Sequence, residues 1–207
     1  MSQRFLELYS TPAVLEAQRR YYGSGHPVAA EGSSDRLTEA EREMIESRDS
    51  FYLATVNADG WPYLQHRGGP PGFLRVLDDH HLGFADLGGN RQLLSTGNLA
   101  TNDRVALFLV DYPQRVRLKI AGRARVIDAK DDPGLTSRLA PEVLPKRSKV
   151  ERLFLIEVVG FDWNCPQHLT PRYTLAEIEA LAAPLRARIS ELEAQLGLGG
   201  GKAPRAR

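Results

Sequence analysis

The feature that most constrains this chain is a succession of short extended runs between residues 51 and 164, with little helical pattern between them. FYLATVN (51–57), WPYLQHR (61–67), FLRVL (73–77), HHLGFAD (80–86), RVALFLV (104–110), RVRLKIAGRARVI (115–127) and ERLFLIEVVGFDWN (151–164) are rich in β-branched and aromatic residues. Turn signals separate them, NADG (57–60) above all, where glycine supplies the positive φ of a hairpin. Six or so short strands at a spacing of about 8–12 residues predict an antiparallel barrel rather than a parallel sheet with crossover helices. RVRLKIAGRARVI alternates: Val116, Leu118, Ile120, Ala124 and Val126 share one face, Arg115, Arg117, Lys119, Arg123 and Arg125 the other. Gly122 in its middle predicts a bulge or a close approach.

Helical pattern is confined to the flanks. Thr11 and Pro12 open a helix that ends at Gly23, and Thr38 with Glu41 forms a capping box for a second, running to about Arg48. Thr174 and Glu177 form another capping box. Beyond it, Leu175, Ile178, Ala182, Leu185, Ile189, Leu192 and Leu196 follow a heptad seam, which Pro184 is expected to kink or divide. The expected division is an N-terminal helix and linker (1–37), a barrel (38–170), a C-terminal helix (171–197) and a disordered tail (198–207).

Charge narrows the function. Lys and Arg number 27 against 26 Asp and Glu, a net charge of +1. That balance argues against nucleic acid as a partner, since broad phosphate neutralisation needs an excess of cations. One cysteine, Cys165, excludes an internal disulfide and fits a reducing compartment. With no signal-peptide pattern and no apolar run of membrane-spanning length, a cytoplasmic protein without a membrane partner is expected.

Four segments carry chemistry. LGGNRQ (87–92) is a glycine turn read as entering a short helix that stops at Gly97-Asn98. Free N–H groups, Asn90 and Arg91 there suit a phosphate, though a plain turn with a solvated arginine fits the same residues. In QHRGGPPGF (65–73), Gln65, His66 and Arg67 end a strand. The glycines after them bare the backbone to a flat ligand; a simple strand exit is the other reading. The basic face of 115–125 is either solvated or turns Arg117 and Lys119 into a phosphate or flavin pocket. WNCPQHLTPR (163–172) places Cys165 and His168 three residues apart, without the further ligands a metal site needs, so none is expected.

The order of these pieces, ATVNADGWPYLQHRGG, then GFADLGGNRQ, then GNLATNDRVALFLVDY and RLKIAGRARV, resembles the FMN-binding split-barrel domain of the pyridoxamine 5′-phosphate oxidase family over residues 38–170. The resemblance implies a mainly β fold: a six-stranded antiparallel split barrel with flanking helices and a C-terminal helix. It also implies FMN held by backbone at Gln65, His66, Arg67 and Gly68, with its phosphate at Gly89, Asn90, Arg91 and Gln92 and an added contact from Ser95. Arg117, beside Lys119, matches the family's later polar contact. Trp163, Asn164, Gln167 and His168 match the segment that packs over the flavin, often from the partner chain. A homodimer with the cofactor at its interface follows, acting on a small-molecule substrate. Gly68-Gly69-Pro70-Pro71 and Gly89-Asn90-Arg91 stand where genuine pyridoxamine phosphate oxidases carry a lysine and a serine-arginine-lysine segment, which marks a divergent branch. The implied activity is FMN-dependent exchange of hydride or electrons with a reduced nicotinamide or small molecule, with His66 or His168 aiding proton transfer. A flavin carrier or sensor, or the same barrel holding a deazaflavin or haem, are the alternatives.

Overall fold

A computed structural model describes residues 3–26, 32–89, 91–142, 149–164 and 167–197. Two compact units divide the chain: residues 1–111 with 115–168, and residues 112–114 with 169–207.

In the first unit, helices α1 (Gln3–Tyr9), α2 (Pro12–Tyr22) and α3 (Glu39–Glu46) precede the strands. Thr11 caps α2 by accepting from the Val14 N–H at 3.3 Å. Glu41 of α3 accepts from both the backbone N–H and the hydroxyl of Thr38, at 2.9 and 2.5 Å. Glu41, Met44 and Ile45, spaced three and four apart, form the face that α3 buries. The sheet comprises β1 (Ser50–Val56), β2 (Pro62–Gly68), β3 (Arg75–Val76), β4 (His81–Leu87), β5 (Arg104–Asp111), β6 (Val116–Asp128) and β7 (Val150–Asn164). Helices α4 (Leu94–Leu99) and α5 (Pro133–Leu139) interrupt the strand order.

All pairings are antiparallel, in the order β2-β1-β5-β6-β7-β4-β3. The expected count of six is corrected to seven, because Arg75 and Val76 form a two-residue edge strand against Gly83 and Leu82. No ladder closes the sheet, yet it curls: Arg67 at the β2 edge meets Asp86 on β4, near the opposite edge. The result is a split-barrel-like sheet. Inward side chains of β1, β4, β5, β6 and β7 form one core with Phe51, Leu53, Phe84, Leu107, Leu118, Ile120, Phe154 and Ile156. Each such side chain contributes about 1.5–3 kcal/mol on burial. Leu139 of α5 covers a smaller cluster with Leu153 and Leu155 on the other side of the sheet.

The register slips between Ala121 and Gly122, opposite Val159, the extra unpaired residue at which β7 bulges. A Cβ at Gly122 would lie 2.6 Å from the Glu157 carbonyl oxygen, so glycine is required by close approach. The expected stop at Gly97-Asn98 is corrected: α4 runs through both, from Leu94 to Leu99. Tertiary hydrogen bonds set its span, Ser95 donating to Gln65 at 3.0 Å and Asn98 to Thr55 at 2.9 Å.

In the second unit, α6 (Leu175–Gln195) is one continuous helix through Pro184, rather than two. Ala180, Ala182 and Ala183 leave the proline ring room in the preceding turn. Thr174 and Glu177 form the expected capping box, and Arg172 lies over the Tyr112 ring at 4.8 Å. The tail at 198–207 lies outside the described residues. Among those described, no helix is long and apolar enough to cross a membrane.

Candidate functional site

Strand alternation sorts the expected site residues. On β2, Gln65 and Arg67 are half-buried and point inward, while His66 and Gly68 are exposed on the outer face. Gln65 is held by Ser95, itself 2% exposed. His66 lies edge-on to Tyr52, ring centres 5.6 Å apart.

Arg67 closes one end of the core. Its guanidinium stacks over Phe154 and Phe84, at 4.9 and 5.5 Å, and meets Asp86 at 2.8 Å. Arg152, opposite Asp86 in the β4–β7 ladder, takes the other carboxylate oxygen at 2.8 Å. Burial lowers the Arg67 pKa, and the neighbouring Asp86 carboxylate partly opposes that shift. Two arginines thus share one aspartate, with Glu151 reaching Arg152 from the solvent side at 3.1 Å.

Cavities flank this network. One, of about 230 Å³, is lined by His66, Arg67, Gly68, Gly69, Phe84 and Asp86 among others. Its wall must be bare: a Cβ at Gly69 would stand 2.6 Å from the Phe73 ring, and one at Gly68 would stand 3.0 Å from the His66 ring. The other, of about 520 Å³, is lined by Gly88, Gly89, Arg91, Lys149, Glu151 and Arg152. Asp86 borders the first cavity and Arg152 the second, so their ion pair joins the two. Among the described residues neither Arg91 nor Lys149 has an ion-pair partner, whereas Arg152 is paired with Asp86 and with Glu151, which lines the same cavity.

Lys149 and Arg152 were absent from the sequence reading. They reach the Gly88-Gly89 bend through β7, about sixty residues away, by way of the β4–β7 ladder and the Gly88 N–H bond to the Lys149 carbonyl at 3.0 Å. Arg91 does not sit on a helix tip, because α4 begins three residues later at Leu94, after Leu93 in the left-handed region (φ 55°). Asn90 lies outside the described residues, and Gln92 has a partner of its own.

The remaining expected residues stand elsewhere. Lys119 is on the outer face, 2.8 Å from the buried Asp162 and 4.9 Å over the Phe5 ring. Arg117 shares that face, opposite Asn164 in the β6–β7 ladder. Trp163 packs on the core of its own barrel and donates to Glu41 at 2.6 Å. Gln167 and His168 are exposed in the turn after β7, with His168 left-handed at φ 61°. The outer face also holds an apolar groove of about 450 Å³ between Tyr52, Leu64, Phe108, Phe5 and Tyr9.

The open antiparallel sheet, with a bare-walled cavity beside a group of charged side chains at one end, is a split-barrel-like fold. The chain belongs to the pyridoxamine 5′-phosphate oxidase family: that family's model matches residues 37–158, well over half of the sequence. No curated protein matches. Among solved structures, HupZ of Group A Streptococcus is 16% identical, with 66% of this chain and 99% of that one covered and a TM-score of 0.47. A putative pyridoxamine 5′-phosphate oxidase from Lactobacillus delbrueckii is 22% identical, covering 61% and 93%, at 0.45. An FMN-binding protein from Syntrophomonas wolfei is 12% identical, covering 60% and 83%, at 0.44.

Proposed function

We propose that this protein is an FMN-binding oxidoreductase. Family membership supports the cofactor, and one observation carries the reading: Arg91, Lys149 and Arg152 surround the Gly88-Gly89 bend beside the glycine-walled cavity at His66–Gly69. The donor set fits the group. Two arginines and a lysine match a phosphate dianion, and Arg67 presents a buried Nε without a partner at the neighbouring cavity. Bound there, FMN would supply hydride or electron exchange, while the chain binds, orients and tunes it. Arg67 presents its guanidinium at the cavity wall, fixed there by Asp86, where it would favour an electron-rich ring. Gly68 and Gly69 let backbone groups approach a planar edge. His66, with a ring nitrogen at the exposed mouth, is the candidate to hold or pass a proton.

We place the homodimer contact at the outer face. Tyr52 and Leu64 are exposed there at 38% and 62%, an apolar patch that a second copy would cover. His66 belongs both to that face and to the cavity, so the cofactor site would lie at the interface.

The visible spectrum of the purified protein, with mass spectrometry of the released ligand, tests the cofactor. FMN is expected; a deazaflavin or a haem spectrum would replace it, and a colourless protein that FMN does not stabilise to heat overturns it. Arg91→Ala is expected to weaken FMN by about 1.5–3 kcal/mol, some 10- to 150-fold, and to leave riboflavin unchanged. Equal weakening of both ligands contradicts the phosphate role. A bound flavin that reduced nicotinamides and small-molecule donors leave oxidised marks a carrier instead of an enzyme.

A further inference from the structure

Among the described residues, five arginines carry a buried Nε with no hydrogen-bond partner: Arg4, Arg48, Arg67, Arg75 and Arg117. Four of them are engaged elsewhere on the side chain. Arg4 meets Glu7, Arg48 meets Asp111 and Arg67 meets Asp86, each at 2.8 Å, and Arg117 has its own partner. Arg75 differs. Among the described residues it has neither an ion pair nor a hydrogen bond, although it is half-buried.

Its position explains where the guanidinium can go. Arg75 pairs across the β3–β4 ladder with Gly83, while the adjacent Val76 faces the core at 5% exposure. Arg75 therefore lies on the opposite face of the sheet from Val76. There it borders a cavity of about 520 Å³ with Glu46, Phe73, Leu139 and Glu142. Pro70, Phe73, Leu139 and Pro141 line this cavity and the glycine-walled one alike, so the two adjoin. Glu46 is committed to the Val76 N–H at 3.0 Å and to Arg42 at 3.5 Å. Glu142 is exposed at the rim.

We infer that Arg75 recognises the oxyanion of a small-molecule substrate in this second cavity; the inference rests on the reading of the adjoining cavity as the flavin site. A partly desolvated guanidinium with an unsatisfied donor is costly until a ligand completes it. Its planar fork matches a carboxylate or phosphate in a two-point contact. Phe73, Leu139 and the prolines suit an apolar body, and the volume fits a small organic acid or phosphate ester. The oxyanion end would lie away from the flavin cavity, leaving the rest of the molecule directed at it.

Benzoate and inorganic phosphate are the probes, titrated calorimetrically into the full-length protein and followed in parallel by the flavin difference spectrum. Benzoate affinity is expected to fall at least about 10-fold in Arg75→Met and less in Arg75→Lys, which keeps the charge without the fork. Flavin content and melting temperature should stay unchanged, because Arg75 has no partner to lose. Arg91→Ala, altering only the phosphate cradle, should leave benzoate binding intact. The proposal is overturned if neither probe binds, if Arg75→Met binds benzoate as the parent does, if that variant loses flavin, or if Arg91→Ala abolishes benzoate binding. The calorimetric arm needs no flavin, so a protein that lacks FMN yet binds benzoate through Arg75 would sink the cofactor reading alone.

Discussion

Glu41 shows how one side chain ties a helix to the barrel. It is 5% exposed, yet its carboxylate accepts from Thr38 twice and from the Trp163 indole. Burial by itself would raise its pKa; the hydrogen bonds from Thr38 and Trp163 outweigh that and hold it below the ordinary 4.5. A carboxyl depressed in the folded state stabilises above its ordinary pKa, and that stability is lost as pH falls through the lower folded value. Glu41→Gln is therefore expected to cost about 1.5–3 kcal/mol in urea at pH 7, with the gap to the parent shrinking below pH 4.5. A gap that stays constant down to strong acid would refute the charged role. The Thr38–Glu41 capping box was legible from spacing alone. The indole partner was not, since 122 residues separate it from Glu41 and no local pattern encodes such a contact.

Among the elements, β6 was the most readable: its alternation gave its two faces, and Gly122 marked the close approach that lies opposite the β7 bulge. Gly122→Ala tests the stated cause. The added methyl would meet the Glu157 carbonyl at 2.6 Å, and backbone within a ladder cannot yield cheaply. A loss of about 1–3 kcal/mol is expected from the urea midpoint, and no change would mean that the strands part there at little cost. Helix α4 was harder to place. Its double glycine resembled a helix entrance, but the start was decided by where Ser95 and Asn98 find Gln65 and Thr55. Strand β3 lies within the run FLRVL (73–77), but only Arg75 and Val76 of that run pair with β4.

At the scale of the whole molecule, strand periodicity gave the faces of each strand but not which faces meet. Hence the bare run at Gly68-Gly69 and the neighbouring Arg91 could be picked out along the chain, whereas Lys149 and Arg152, which line the same cavity as Arg91 from β7 and the residue before it, could not. The ion pair of Lys119 with Asp162 could not be read locally, because Asp162 lies on a different strand. The proposed homodimer is tested on the same faces. Leu64→Glu is expected to shift size-exclusion elution from dimer to monomer, while a chain ending at Pro171 should stay dimeric. The reverse pattern would move the main contact to the heptad stripe of α6.

The closing join between β2 and β4 is made by Arg67 and Asp86 rather than by a ladder. A cylinder fastened that way can gape along one line without surrendering a single peptide hydrogen bond. A bulky guest entering at His66 could part that clasp by re-seating a few charged tips, so the mouth adapts to its occupant while the remaining staves keep their register.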